Sequence, residues 1–432
     1  MAIDLNTTGY EIHRLISELY PICRSITGNG VRQTLHLINE YIQLSMQEVP
    51  TGTRVFDWIV PKEWNIRDGY VKNSRGEKII DFQKSNLHVV GYSIPIHQKM
   101  SLEELRPRLF TLPEYPDWIP YRNSYYTENW GFCLSHRQFL ELKNDVYEVF
   151  IDSSLEDGYL TYGEYYLEGN TKKDEVLISC HICHPSLCND NLSGIAVAVF
   201  LARHLSSTLR RHSYRFLFLP TTIGSITWLA LNETELSSIK HGLVLACLGD
   251  SGMSTYKKSR LGNTVIDRAA VNVLKHSGQN YEIMDFLPYG YDERQFCSPG
   301  FNLPVGCFMR TPNGCFPEYH TSADDLDFVQ PDPLHDSFLK CTKILNILDN
   351  DGIYMNQNPK CEPQLGKRGL YRPLSHQHQL PNEQLAILWV LNLSDGNHSL
   401  LDIAERSDMS FEEIRKAAGV LDANGLIIRV NG

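Results

Sequence analysis

In the stretch Glu175-Val176-Leu177-Ile178-Ser179-Cys180-His181-Ile182-Cys183-His184-Pro185-Ser186-Leu187-Cys188-Asn189-Asp190-Asn191-Leu192-Ser193-Gly194, a strand-like apolar run ends in a polar loop. The loop gives way to a long apolar segment that opens with Ile195-Ala196-Val197-Ala198-Val199-Phe200-Leu201. This is the pattern of a buried strand, a loop at its carboxyl end and a buried helix. Further strand-like runs follow at 214–219 and 242–247, and helical spacing marks 191–205, 225–231, 263–276 and 333–348. Apolar strands separated by helices predict an α/β class: a mostly parallel sheet with helices on both faces.

Moving outward from this core, residues 10–45 carry two amphipathic helical runs joined by the turn Arg24-Ser25-Ile26-Thr27-Gly28-Asn29-Gly30. From 51 to 130 the pattern breaks into short apolar runs punctuated by Pro and Gly, which predicts an inserted small β-rich domain. Residues 356–381 are rich in Pro, Gly and Gln and read as a linker. Beyond it, helical runs at 383–391, 400–405 and 411–423 precede a strand-like run at 425–430, the order of a winged helix-turn-helix. The expected organisation is therefore an α/β domain from 1–50 and 131–355, an insert at 51–130, a linker at 356–381 and a winged helix at 382–432.

The 432 residues carry 40 Lys and Arg against 51 Asp and Glu, a net charge of −11. Such a balance argues against a protein that works by neutralising phosphate backbones. Eleven cysteines, an odd number, and an N-terminal stretch without a basic and apolar leader point to reduced thiols in a cytoplasm. No apolar run approaches the ~20 residues of a membrane span. The winged-helix segment sets Arg406, Arg415, Lys416 and Arg429 against Glu383, Asp395, Asp402, Glu405, Asp408, Glu412, Glu413 and Asp422. That surplus of carboxylates disfavours specific DNA binding and favours a protein partner.

His181, His184 and Asp190 supply two imidazoles and a carboxylate within ten residues at a strand end, a donor set suited to zinc. A structural zinc on Cys180, Cys183 and Cys188 is the weaker reading, because no second Cys-x-x-Cys knuckle accompanies it. The aromatic stretch Trp118, Tyr121, Tyr125, Tyr126 and Trp130 reads as core or interface before it reads as a substrate wall.

Val176 to His181, followed by Asn189-Asp190-Asn191-Leu192-Ser193-Gly194, resembles the co-catalytic zinc aminopeptidases. Gly249-Asp250-Ser251-Gly252 resembles that family's second Asp ligand segment. Tyr319-His320-Thr321-Ser322-Ala323-Asp324 resembles its late His-Thr-x-x-Asp signature, and Tyr291-Asp292-Glu293-Arg294 its Ser-Asp-His region. The closer resemblance is to a bacterial branch of aminopeptidase-like proteins associated with polysaccharide biosynthesis. It rests on 19–30 and on Phe56-Asp57-Trp58 with Pro61-Lys62-Glu63-Trp64-Asn65-Ile66.

The resemblance implies metal ligation by His181 or His184, Asp190, Asp250 and His320. It also implies a departure: where the family has a Glu-Glu pair for general base and second metal, this chain has Thr221-Thr222. One zinc per chain is then expected rather than two, with Glu318 first and Glu293 second as substitute bases. The expected substrate is a small amine-bearing amide or peptide, including N-acylated sugar precursors. The alternative is a catalytically weakened metal-binding scaffold whose winged helix recruits a protein partner.

Overall fold

The computed structural model describes residues 7–371 and 381–430, the side chains at 172 and 173 excepted. Residues 1–6 of the N-terminal stretch and 372–380 of the expected linker lie outside the described residues. An eight-stranded sheet runs in the order Ser45–Pro50, Tyr159–Leu167, His212–Leu219, Thr171–His181, Ile239–Leu245, Val305–Met309, Ser254–Lys257, Tyr281–Met284. It is parallel from His212–Leu219 through Val305–Met309, with Thr171–His181 at the heart of that set. The flank formed by Ser45–Pro50 and Tyr159–Leu167 is antiparallel, and Ser254–Lys257 is antiparallel to Val305–Met309. The fold is mixed α/β around one large sheet.

Alternate residues of the central strands serve opposite faces. Val176, Ile178 and Cys180 join Phe216, Phe218 and the helices Thr8–Leu19, Gly194–Ser206 and Pro331–Asn350 in one core. Leu177, Leu217, Leu219 and Val244 face the other way, onto the helix Ile223–Leu231. Helix Gly194–Ser206 is buried on every side from Gly194 to Ala202, which explains its unbroken apolar sequence. At its start a Cβ on Gly194 would lie 2.5 Å from the Leu245 carbonyl oxygen, so only glycine lets helix and strand approach this closely.

A separate four-stranded sheet is built from Lys78–Asp81, Glu63–Lys72, Val146–Glu156 and Ile96–Ser101 around its own core. Its third strand lies past residue 130, where the sequence reading ended the insert, because 146–156 alternates in burial and so resembles the start of the next α/β segment. The C-terminal unit has helices Asn382–Leu393, Leu400–Ser407 and Phe411–Ala423 and a sheet of Asp395–Ser399, Ile353–Asn356 and Ile427–Arg429. Its middle strand, Ile353–Asn356, comes before the expected linker in the chain.

The C-terminal unit docks on helix Val265–Lys275. Arg268 pairs with Asp402 and Glu405, each at 2.6 Å, and Lys275 pairs with Asp408 at 2.6 Å. The Asn272 side chain accepts from the Phe411 N–H at 3.0 Å and donates to the Met409 carbonyl at 3.3 Å. The first turn of helix Phe411–Ala423 is thereby seated on the α/β domain. No helix among the described residues is long and apolar enough to cross a membrane.

Candidate metal centre

Strand Thr171–His181 delivers His181 to the carboxyl edge of the sheet, where ligand sites of open α/β sheets gather. The loop after it folds back so that the buried Asp190 carboxylate meets three imidazoles. His181 Nε2 lies 2.9 Å from Oδ1, His320 Nε2 lies 2.9 Å from Oδ2, and His184 Nε2 lies 3.9 Å from Oδ2. One ligand atom each of His181, His184 and Asp190 falls within 4.8 Å of the others. Burial alone would raise the Asp190 carboxyl, but His184 and the bonds from His181 and His320 hold it well below the ordinary value. Burial drives the His184 imidazole down, with Asp190 opposing.

The loop is held by a carboxylate beneath it: Asp324 accepts the main-chain N–H groups of Asn189 and Asp190. Asn191 then fixes a proton. Its Oδ1 accepts from the Gly194 and Cys247 N–H groups and its Nδ2 donates to the Leu245 carbonyl, so the amide cannot turn over. The same Nδ2 faces His181 Nδ1 at 3.2 Å. Nδ1 is therefore an acceptor, and the ring N–H sits on Nε2, toward Asp190.

Other expected site residues are placed differently. Asp250 is buried, yet its oxygens are taken by Asn189 Nδ2, the Gly252 N–H and the Thr311 N–H and hydroxyl. It braces the loop through Asn189 and does not join the compact donor group of His181, His184 and Asp190. Glu293 is buried in an ion pair with Lys257; burial raises its carboxyl, with Lys257 pulling the other way. Glu318 is half-buried and its main-chain oxygen accepts from Thr321. Cys180, Cys183 and Cys188 are buried free thiols.

Several site residues went unassigned in the sequence reading. Asp292, next to Glu293, is fully buried, and its Oδ1 accepts from the Thr221 hydroxyl at 2.8 Å and the Ser225 hydroxyl at 2.9 Å. Burial raises its carboxyl, while His181 and the two hydroxyls pull the other way. Tyr291 stacks on His181 with ring centroids 5.1 Å apart, and Tyr319 stacks on His320 at 4.0 Å. From the insert, Tyr121 packs on His184 at 5.2 Å and edge-on to His320 at 5.1 Å. Its N–H donates to the His320 carbonyl, and Pro120 bridges Thr321. The aromatic stretch is thus an interface that reaches the imidazoles, with Tyr121 its contact point.

This geometry agrees with what the chain matches. Residues 13–351 match a family described as a domain of unknown function, DUF4910, and residues 352–429 a winged helix-turn-helix. The chain belongs to the DUF4910 family. It is 55% identical over 414 residues to a Clostridium acetobutylicum protein, covering 96% of this chain and 95% of that one. That relative is named as a candidate polysaccharide biosynthesis protein with an aminopeptidase-like domain. A crystal structure of a candidate peptidase from Clostridium acetobutylicum superposes with TM-score 0.94 at 52% identity, covering 99% of this chain and 98% of that one. The zinc aminopeptidase BSAP of Bacillus subtilis shares the fold, with TM-score 0.58 at 12% identity over 80% of this chain and 95% of its own.

The turn 24–30 has a physical role. Arg24 is fully buried; its Nε donates to the His184 carbonyl at 3.0 Å and its Nη1 to the Leu19 carbonyl at 2.8 Å. A Cβ on Gly30 would lie 1.9 Å from the Cys23 carbonyl oxygen, and Gly28, at φ +99°, sits against the Trp64 carbonyl. The turn ties the N-terminal helices to the loop that carries His184 and to the insert at once. Arg24→Met is expected to cost about 2–3 kcal/mol, because buried carbonyls lose their donors, which urea denaturation of the purified variant would measure.

Proposed function

We propose that this protein is a zinc-dependent hydrolase of aminopeptidase type, acting on a small amide or peptide with a free amine during the making of a polysaccharide or amino-sugar precursor. The observation that carries this is the convergence of three imidazoles on the one buried carboxylate of Asp190 at the carboxyl edge of the sheet. Imidazole nitrogen and carboxylate oxygen with a water position left over are the donor set of a catalytic zinc. The polysaccharide assignment is supported by the name of the relative, and the reducing compartment by eleven free cysteines.

Asp190, His320 and His184 would hold the metal. His184 Nδ1 is 3.3 Å from the Cys183 sulfur, which leaves Nε2 free to ligate, whereas His181 keeps its Nε2 proton for Asp190. Bound zinc supplies a Lewis acid and lowers the pKa of a coordinated water. With Thr221-Thr222 in place of a Glu pair, one zinc per chain is the expected content. The proton acceptor that the reaction needs is Asp292. It lies behind Thr221, feels His181, and has an Oδ2 that none of the hydroxyl bonds to Thr221 and Ser225 uses. Tyr121 and Tyr319 wall the site.

The test is metal analysis of the purified chain together with a substrate screen spanning aminoacyl anilides, peptides and N-acylated amino sugars. About one zinc per chain and turnover of an amine-bearing amide other than simple anilides are expected. Failure to bind zinc would sink the proposal. The Thr221-Thr222 substitution favours a second reading, a metal-binding scaffold, which requires zinc without turnover on any amide.

The winged helix, on this reading, contacts protein rather than duplex DNA. In helix-turn-helix proteins the first residues of the second motif helix reach base edges, and here those residues are seated on Asn272. Fluorescence anisotropy of the full chain with duplex DNA at low salt should show no saturable binding; tight binding would overturn this reading of the winged helix.

A further inference from the structure

At the opposite end of the sheet from His181, where strands Thr171–His181, His212–Leu219 and Ile239–Leu245 begin, a cavity of about 580 Å³ lies between the α/β domain and the winged-helix unit. Arg211 and Lys240 line it from the sheet side and Arg429 from the C-terminal strand. Among the described residues the side chain of each of these cations donates to carbonyl oxygen: Arg211 and Arg429 to Asp351 at 3.0 and 2.7 Å, Lys240 to Ser237 at 2.8 Å. Among the described residues none of the three is in an ion pair, although the chain as a whole carries a net charge of −11. The carboxylates on the wall are Asp174 and Asp351, and Asp351 Oδ1 is occupied by the Leu401 N–H.

We propose that this cavity binds a phosphate-bearing small molecule, with its charged group between Arg211, Lys240 and Arg429 and its apolar part against Val265 and Leu348. Carbonyl-bonded guanidinium and ammonium groups keep their full charge and spare N–H donors, which is what bidentate phosphate recognition uses. His241 stands on the same wall; burial first, then the neighbouring His212, Arg211 and Lys240, push its imidazole down to about 3, with Asp349 opposing, and its buried Nδ1 has no hydrogen-bond partner among the described residues. Because Asp351, Ser399 and Arg429 come from the C-terminal side of the cavity, an occupant touches both units, and its presence would be felt in how the winged helix sits.

Isothermal titration of the full chain with inorganic pyrophosphate tests this, with acetate as the anion lacking phosphate. Saturable pyrophosphate binding is expected, weakened at least about tenfold by Lys240→Glu and by Arg429→Gln, with acetate giving no saturation. Lys240 is exposed and its ammonium donates to the Ser237 carbonyl, so its variant keeps the fold, which a thermal melt would verify. No saturation with pyrophosphate at millimolar concentration, equal affinity in both variants, or equal binding of acetate would each overturn the proposal. None of these residues is near the Asp190 cluster, so the outcome is independent of the hydrolase reading.

Discussion

Asp190→Asn is expected to lower zinc affinity by at least about a hundredfold, since replacing even an outer partner of a metal ligand costs 10–100-fold, and to abolish hydrolysis with it. Asn keeps the volume and one acceptor oxygen but loses the charge. Two imidazoles donate to, or share a metal with, that carboxylate through separate oxygens, and an amide can satisfy only one of them. The folded chain should survive, because removing a buried charge also removes its desolvation cost. Zinc titration monitored by a competing chelator checks the affinity without reference to activity. Unchanged zinc stoichiometry and affinity in the variant would move the centre elsewhere. The histidines divide in the same assay: His184→Ala should lose zinc, while His181→Ala should keep most of it and lose the hydrogen bond to Asp190.

The second large effect concerns the base. Asp292→Asn should reduce turnover by about 10²–10⁴-fold, the usual contribution of a positioned proton acceptor, with zinc content unchanged. The Asn Oδ1 can still accept from the Thr221 and Ser225 hydroxyls, so the local geometry is kept while the basic oxygen is lost. Glu318→Gln should leave the rate within a few-fold of the parent. The pH profile separates a base from a merely structural group: the acid limb of kcat should vanish in the Asn variant. If Glu318→Gln silences the enzyme and Asp292→Asn does not, the acceptor is Glu318. Glu293→Gln should act on stability instead, since it strands the Lys257 ammonium in the interior.

The sequence by itself determined the α/β architecture, the winged-helix unit and the neighbourhood of His181, His184 and Asp190. Those features are local. A buried strand, its terminal loop and an all-apolar helix follow from residues adjacent in the chain, and ten residues hold two imidazoles and a carboxylate. His320 was legible through a motif, and the structure brings its Nε2 to Asp190 across 130 positions. What the tertiary structure alone decided is which polar atoms spend their hydrogen bonds on one another. Asp250 and Glu293 carry the right chemistry but are bonded to Thr311 and Lys257. Asp292, with the same chemistry, sits against Thr221 71 positions away. Tyr121 reaches the imidazoles from a loop of the insert, and Asn191 selects the His181 tautomer only because the Leu245 carbonyl and the Cys247 N–H hold its amide still. A carboxylate or imidazole in the interior takes its role from the partner it meets there. That partner is set by the packing of distant segments, whose pairings are not written in any local pattern.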